Sequence, residues 1–457
     1  MSDSTQNYTD ANQIPDSRIS TLPPKAYPGL LATCVAIGVA CGIATFLIDK
    51  GISLISDSIH HFLKPEHFNI AFIFVPAVGM LLSVLYVNKM VKINLSHGSE
   101  RVKEYLKTKD YNLPPRLMWA SGIGTSLTLG FGGSAGAEGP SAFTGAAIAG
   151  NFGRWLKMDN ESMRLLIGIG AGAGIAGIFR SPIGGVLFTL EVLRMPITTL
   201  PVLGLISASL SAGLTAYILN GSQYEVAITN GPVPELSQIP IILLLGIVCG
   251  IYSVYYSGVM SKLGSKLNNW KNPWLKALVC GLTIGVCIFL FPDLYSTGYS
   301  SLGKLLVSSN LNITSYSLFH HDRPTPELLA GIALGIIILK ALAVTATNYG
   351  GGVSGNFAPA LFAGGFVGFL FATLANLWFD AGLDVGNFVY MGMAGGMSGI
   401  IKAPLMAMFL TTEMSGHSRF LWPLAVVSVI SWATVLLFNN RFKFSGKRVS
   451  DDNTSDS

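Results

Sequence analysis

Apolar residues along this chain gather into long blocks, at 30–48, 71–87, 165–190, 200–219, 239–260, 275–290, 328–346, 357–377, 388–410 and 420–438. Many approach the ~20 residues an apolar helix needs to cross a bilayer. Others are short or interrupted by glycine and proline. These read as partial or re-entrant helices, which a membrane tolerates only where protein or a cavity covers the freed backbone. No run alternates with the period of two that a strand requires. The pattern predicts an all-α polytopic membrane protein.

The flanks are polar. Residues 1–27 hold Pro15, Pro23 and Pro24 and lack the basic start and apolar stretch of a signal peptide. They are expected to form a disordered tail. Residues 445–457 are expected to be a second polar tail, with no soluble regulatory domain after it.

Composition sharpens this picture. Of 457 residues, 50% are hydrophobic and only 12% charged, and 52 are glycine. That excludes disorder, which needs polarity and charge, and suits helices packed closely through small residues. The net charge of +5 is concentrated in segments between or after the blocks. One holds Lys89, Lys92, Arg101, Lys103, Lys107, Lys109 and Arg116; another Lys262, Lys266, Lys271 and Lys276; a third Arg441, Lys443, Lys447 and Arg448. The positive-inside rule puts these on the cytoplasmic side, with both termini, in a bacterial-type inner or plasma membrane. Nucleic acid is not an expected partner. Cys34, Cys41, Cys249, Cys280 and Cys287 all lie in apolar blocks without metal-site spacing, so no metal or cofactor is expected.

The chain also repeats itself. "GIFRSPIGGVLFTLEV" at 177–192 aligns without gaps with "GIIKAPLMAMFLTTEM" at 399–414, and "GAEGPSAF" at 136–143 with "GNFAPALF" at 355–362. The offsets, 399 − 177 = 222 and 355 − 136 = 219, nearly agree. A duplication follows: a first repeat over 28–223, a linker over 224–238 and a second repeat over 239–444. Inverted repeats of this kind place a binding site at the midplane, where broken helices from both halves converge.

The glycine–proline motifs are the candidate breaks. Each reads as a loop leading into a helix N-terminus, where free N–H groups and the helix dipole favour an anion. Such a site holds an anion without a full positive charge, and conduction needs weak binding. Glu138 stands at the first opening, so its carboxylate is expected to occupy the anion's place and act as a gate.

Together these motifs resemble the CLC family of chloride channels and proton-coupled chloride exchangers, over about residues 28–444. "GAEGP" at 136–140 is similar to the family's G-[KR]-E-G-P, and "GNFAP" at 355–359 matches its G-x-F-x-P. The resemblance implies a homodimer of subunits that each carry a pore and two inverted halves. It makes Glu138 the external gate and implies an anion site built from Gly136, Gly139, Gly355, Asn356, Phe357 and Ala358. The implied cargo is chloride or another small anion, with protons an open second partner.

Four departures stand out. Ala137 replaces the family's basic residue. The family's G-S-G-I-P loop best matches "SHGSE" at 96–100, so His97 or Ser99 takes the place of its selectivity serine. Val192 stands where proton-coupled members often carry an internal glutamate. Phe442 or Phe444 falls nearest the family's pore tyrosine and brings no hydroxyl. Val192 tilts the expectation towards passive or weakly coupled conduction, with proton-coupled chloride or fluoride exchange as the alternative.

Two other classes have partial signals in the sequence. An intramembrane serine protease is suggested by "GGSAG" at 132–136 and "GVSG" at 352–355, but every histidine lies in a loop or at a block end, so no enzyme is expected. A cation transporter would need several oxygen ligands, and too few acids lie at membrane depth. Glu191 and Glu413 occupy equivalent places and are expected to cap or pair at helix ends. Arg180 and Lys402 are expected to snorkel or pair. Lys340, a lone cation in an apolar block, is either a buried ion partner or an attractor of anions.

Overall fold

The computed structural model describes residues 27–63, 70–108, 111–195, 199–221, 233–307 and 324–451. Most of the expected N-terminal tail and linker, and the end of the C-terminal tail, lie outside the described residues.

The first half runs α1 (Tyr27–Leu63), α2 (Val75–Tyr86), α3 (Gly98–Thr108), α4 (Leu117–Gly130), α5 (Glu138–Trp155), α6 (Asn160–Phe179), α7 (Pro182–Leu187) and α8 (Thr199–Leu219). The second runs α9 (Ile239–Asn268), α10 (Pro273–Leu290), α11 (Tyr299–Val307), α12 (Pro326–Tyr349), α13 (Phe357–Phe379), α14 (Val385–Ile401), α15 (Pro404–Ser415) and α16 (Leu421–Asp451). Among the described residues, eight helices follow eight in matching order. The packing matches too: α1 lies on α8 as α9 lies on α16, and α5 on α6 as α13 on α14. Nine helices among the described residues are long and apolar enough to cross a membrane.

Two apolar blocks that read as single spans are each two helices. Block 165–190 breaks at Arg180 and block 388–410 at Lys402, both left-handed, at φ 54° and φ 64°. Pro182 and Pro404 follow at the start of the next helix. A proline there cannot donate back into the preceding turn, so the chain corners and starts afresh. Arg180 also approaches Asp49, at 4.0 Å.

The two short helices are capped by each other's half. Glu413 of α15 accepts hydrogen bonds from the Ser181 hydroxyl, from Ile183 N at 3.1 Å and from Gly184 N at 3.0 Å, at the start of α7. Glu191, just after α7, accepts from Leu405 N at 3.3 Å and Met406 N at 2.8 Å, at the start of α15. The acids satisfy N–H groups that a helix cannot satisfy for itself, and their charge suits the dipole. Glu413→Ala is therefore expected to destabilise the fold by about 2 kcal/mol or more, because three donors lose one acceptor. Thermal unfolding in detergent would register this as a lower midpoint. Glu413→Gln should lose less, since its carbonyl oxygen still accepts.

Small residues set the helix spacing. A Cβ on Gly145 would stand 2.1 Å from Gly170 O, and one on Gly364 would stand 2.2 Å from Gly392 O. Backbones touch at the equivalent crossing in each half. Gly145 and Ala149, two of the small residues of α5, make their close contact with α6 of the same chain.

Candidate functional site

The loops before α5 and α13 meet. Gly136 N donates to Gly355 O at 3.0 Å and Gly355 N to Gly136 O at 2.7 Å, forming an antiparallel bridge between motifs that the sequence places 219 residues apart (355 − 136). The two helix openings therefore face one another. Each loop is also pinned by the other half's long helix. Ser134 N donates to Thr347 Oγ1 of α12 at 3.1 Å, while Thr125 Oγ1 and Thr128 Oγ1 of α4 hold Val353 O and Val353 N, both at 3.0 Å.

A third helix start joins them. A Cβ on Gly98, the first residue of α3, would stand 2.3 Å from Gly139 O. Only glycine lets α3 begin that close to α5. His97, immediately before it, takes a left-handed φ of 56°. The "SHGSE" stretch thus runs into a helix rather than forming a plain loop, and His97 and Ser99 come to the same place as Gly136, Gly139 and Gly355. The His97 ring stands 4.8 Å from that of Tyr349. Burial holds its imidazole below the ordinary value, with Glu100 opposing, so it stays neutral near pH 7.

Glu138 opens α5 and is 1% exposed. Its carboxylate folds back over its own opening: Oε2 lies 1.9 Å from where a Cβ on Gly136 would stand and 3.6 Å from one on Gly355. Its Oε1 accepts from the Tyr299 hydroxyl of α11 at 3.3 Å. On the other opening Phe357 and Ala358 are buried, and the Phe357 ring meets Phe188 at 5.8 Å. Asn356 accepts from Asn348 and reaches Met260 Sδ at 3.6 Å.

Lys340 has an unexpected setting. It is fully buried in α12, donates to Ser134 Oγ at 2.9 Å and lies 4.4 Å from the centre of the Phe362 ring. Glu138 is the acid whose charge acts on it. The cation thus belongs to the surroundings of Glu138, anchored in the loop four residues before it. The lone charge in an apolar block was the only sequence signal for this. Tyr299 carried none.

Ser134 and Ser354, the serines of the protease-like motifs, bond to Lys340 and Asn348 respectively. Phe442 and Phe444 lie on the late part of α16, and their side chains fall outside the described residues. A cavity of about 570 Å³ opens beside His97, lined also by Asn88, Lys92, Asn94, Lys276 and Asn348. Among the described residues no carboxylate lines it, so it favours anions on the side of the lysine-rich loops.

Comparison with known proteins agrees with this architecture. The family model described as "Voltage gated chloride channel" matches residues 78–436. The H(+)/Cl(-) exchange transporter ClcA of Vibrio cholerae is 23% identical over 414 residues, covering 88% of this chain and 85% of that protein. The voltage-gated ClC-type chloride channel ClcB of Salmonella typhimurium is 26% identical, with 78% and 82% covered. Among solved structures, a slow cyanobacterial Cl-/H+ antiporter superposes with a TM-score of 0.76 at 21% identity, over 90% of this chain and 94% of that one. A CLC-type fluoride/proton antiporter gives 0.73 at 22% identity, over 90% and 96%. At these identities the structural likeness speaks to the fold.

Proposed function

Because the chain belongs to the voltage-gated chloride channel family, we propose that it is a multi-pass membrane protein exchanging a small anion, chloride first, for protons. The observation that carries this reading is the Glu138 carboxylate lying in the crook between two facing helix openings. The N–H groups of those openings, at Glu138, Gly139, Asn356, Phe357 and Ala358, hold the anion; those of Gly136 and Gly355 are spent on the bridge between the two loops, so these two glycines shape the site without donating to it. Glu138 competes for the same place. Protonated, it leaves and admits the anion; ionised, it returns and expels it. One group then carries both the proton and the gate.

Val192 cannot relay a proton, and that favours passive conduction. Two things outweigh it. ClcA and both solved relatives are named as proton-coupled, and the cavity beside His97 offers room for water on the lysine-rich side, which suits proton supply without an internal carboxylate. Fluoride is the second anion in view, because His97 and Ser99 replace the usual start of α3. The same reading includes a homodimer and cytoplasmic termini.

The test is reconstitution into vesicles with an imposed chloride gradient, recording chloride and proton movement together. Protons driven uphill by chloride support exchange. Chloride flux with no proton movement returns the reading to passive conduction.

A further inference from the structure

Tyr256 lies on α9 and is 1% exposed, yet among the described residues its hydroxyl has no hydrogen-bond partner. Its neighbours are satisfied: Tyr252 donates to Ile337 O at 3.1 Å and Tyr255 to Ile338 O at 3.2 Å. Buried hydroxyls are nearly always paired, because an unpaired one forfeits its hydration for nothing. A phenylalanine would fill the same space without that cost.

The position of Tyr256 explains what the hydroxyl is for. Four residues on, and so on the same face of α9, Met260 Sδ accepts from Asn356 Nδ2 at 3.6 Å. Asn356 is the residue from which α13 starts. This face of α9 therefore borders the second opening. Glu138 is near enough for its charge to act on Tyr256. The phenol thus lies on the face of α9 that borders the second opening and within electrostatic reach of Glu138, and the titratable groups around Glu138 are Tyr256 from α9, Tyr299 from α11 and Lys340 from α12.

We propose that the Tyr256 hydroxyl is a donor to the transported anion, and to the Glu138 carboxylate when that group takes the anion's place. The inference rests on the anion-site reading above and adds a side-chain donor to a site otherwise built from backbone. A neutral O–H bonds strongly to an anion but adds no fixed charge, which keeps release fast.

The test uses the purified full chain in detergent, titrated calorimetrically with chloride. Tyr256→Phe is expected to weaken chloride binding roughly tenfold. In chloride-free buffer the variant should unfold at a temperature no lower than the wild type, since the hydroxyl has no bond to lose. Added chloride should then raise the wild type's midpoint more than the variant's. Unchanged chloride affinity in the variant, with binding intact in the wild type, overturns the assignment of Tyr256 alone. A variant destabilised without chloride but equal in affinity shows a structural role and also overturns it. A wild type that binds no chloride removes the anion site itself, and Tyr256 with it.

Discussion

Glu138→Gln is expected to make anion flux independent of pH and to abolish coupled proton movement. The side chain is nearly isosteric, so the surrounding fold is kept, while the uncharged amide yields its place over Gly136 to an anion. It carries no charge and takes no proton, so it neither competes with the anion at the openings nor delivers protons across them. Flux measured in vesicles between acid and alkaline pH should change by an order of magnitude or more in the wild type, since a full carboxylate charge is at stake, and stay flat in the variant. A variant that still follows pH places the gate elsewhere.

Lys340→Met should have the second largest effect. A cation fully removed from solvent acts on nearby charge with little screening. Lys340 is held in place by Ser134 and the Phe362 ring, and its field favours a negative group at the opening. Removing it leaves the Glu138 carboxylate less firmly held, so less acid is needed to open the gate. The pH midpoint of flux is expected to move up by about one unit, a tenfold change in proton concentration. Methionine keeps the bulk and length, so a folded protein is expected. In the Glu138→Gln background the same substitution should leave the pH profile flat. A midpoint that does not move in the single variant shows that Lys340 serves packing only.

Backbone geometry was the most legible part of this protein. Glycine and proline are demanded where a helix must start close to another chain segment, so the motifs around Gly136 and Gly355 declared the repeat and the two helix openings that meet. The equivalence of Glu191 with Glu413 was visible too, though not that each acid crosses to cap the other half. Helices poor in bulky residues were hidden. α4 and α5 are rich in glycine, alanine, serine and threonine, and gave no apolar block. The start of α3 was hidden as well, because "SHGSE" followed by charged residues reads as a solvated loop.

Long-range side-chain meetings were out of reach. Ser134 and Lys340 are 206 residues apart, and Glu138 and Tyr299 are 161 apart. Nothing local to either partner signals the other. Tyr256 was masked for a different reason: an aromatic on an apolar helix reads as core unless its hydroxyl can be followed to a partner.

The most direct test is to locate the anion. Crystals of the wild type and of Glu138→Gln grown in bromide would show the ion by its anomalous scattering. The account predicts bromide between the α5 and α13 openings in the variant, at the place the wild-type carboxylate takes over Gly136, and a weaker peak or none there in the wild type. Bromide bound only away from these openings, or an identical pattern in the two proteins, would contradict it.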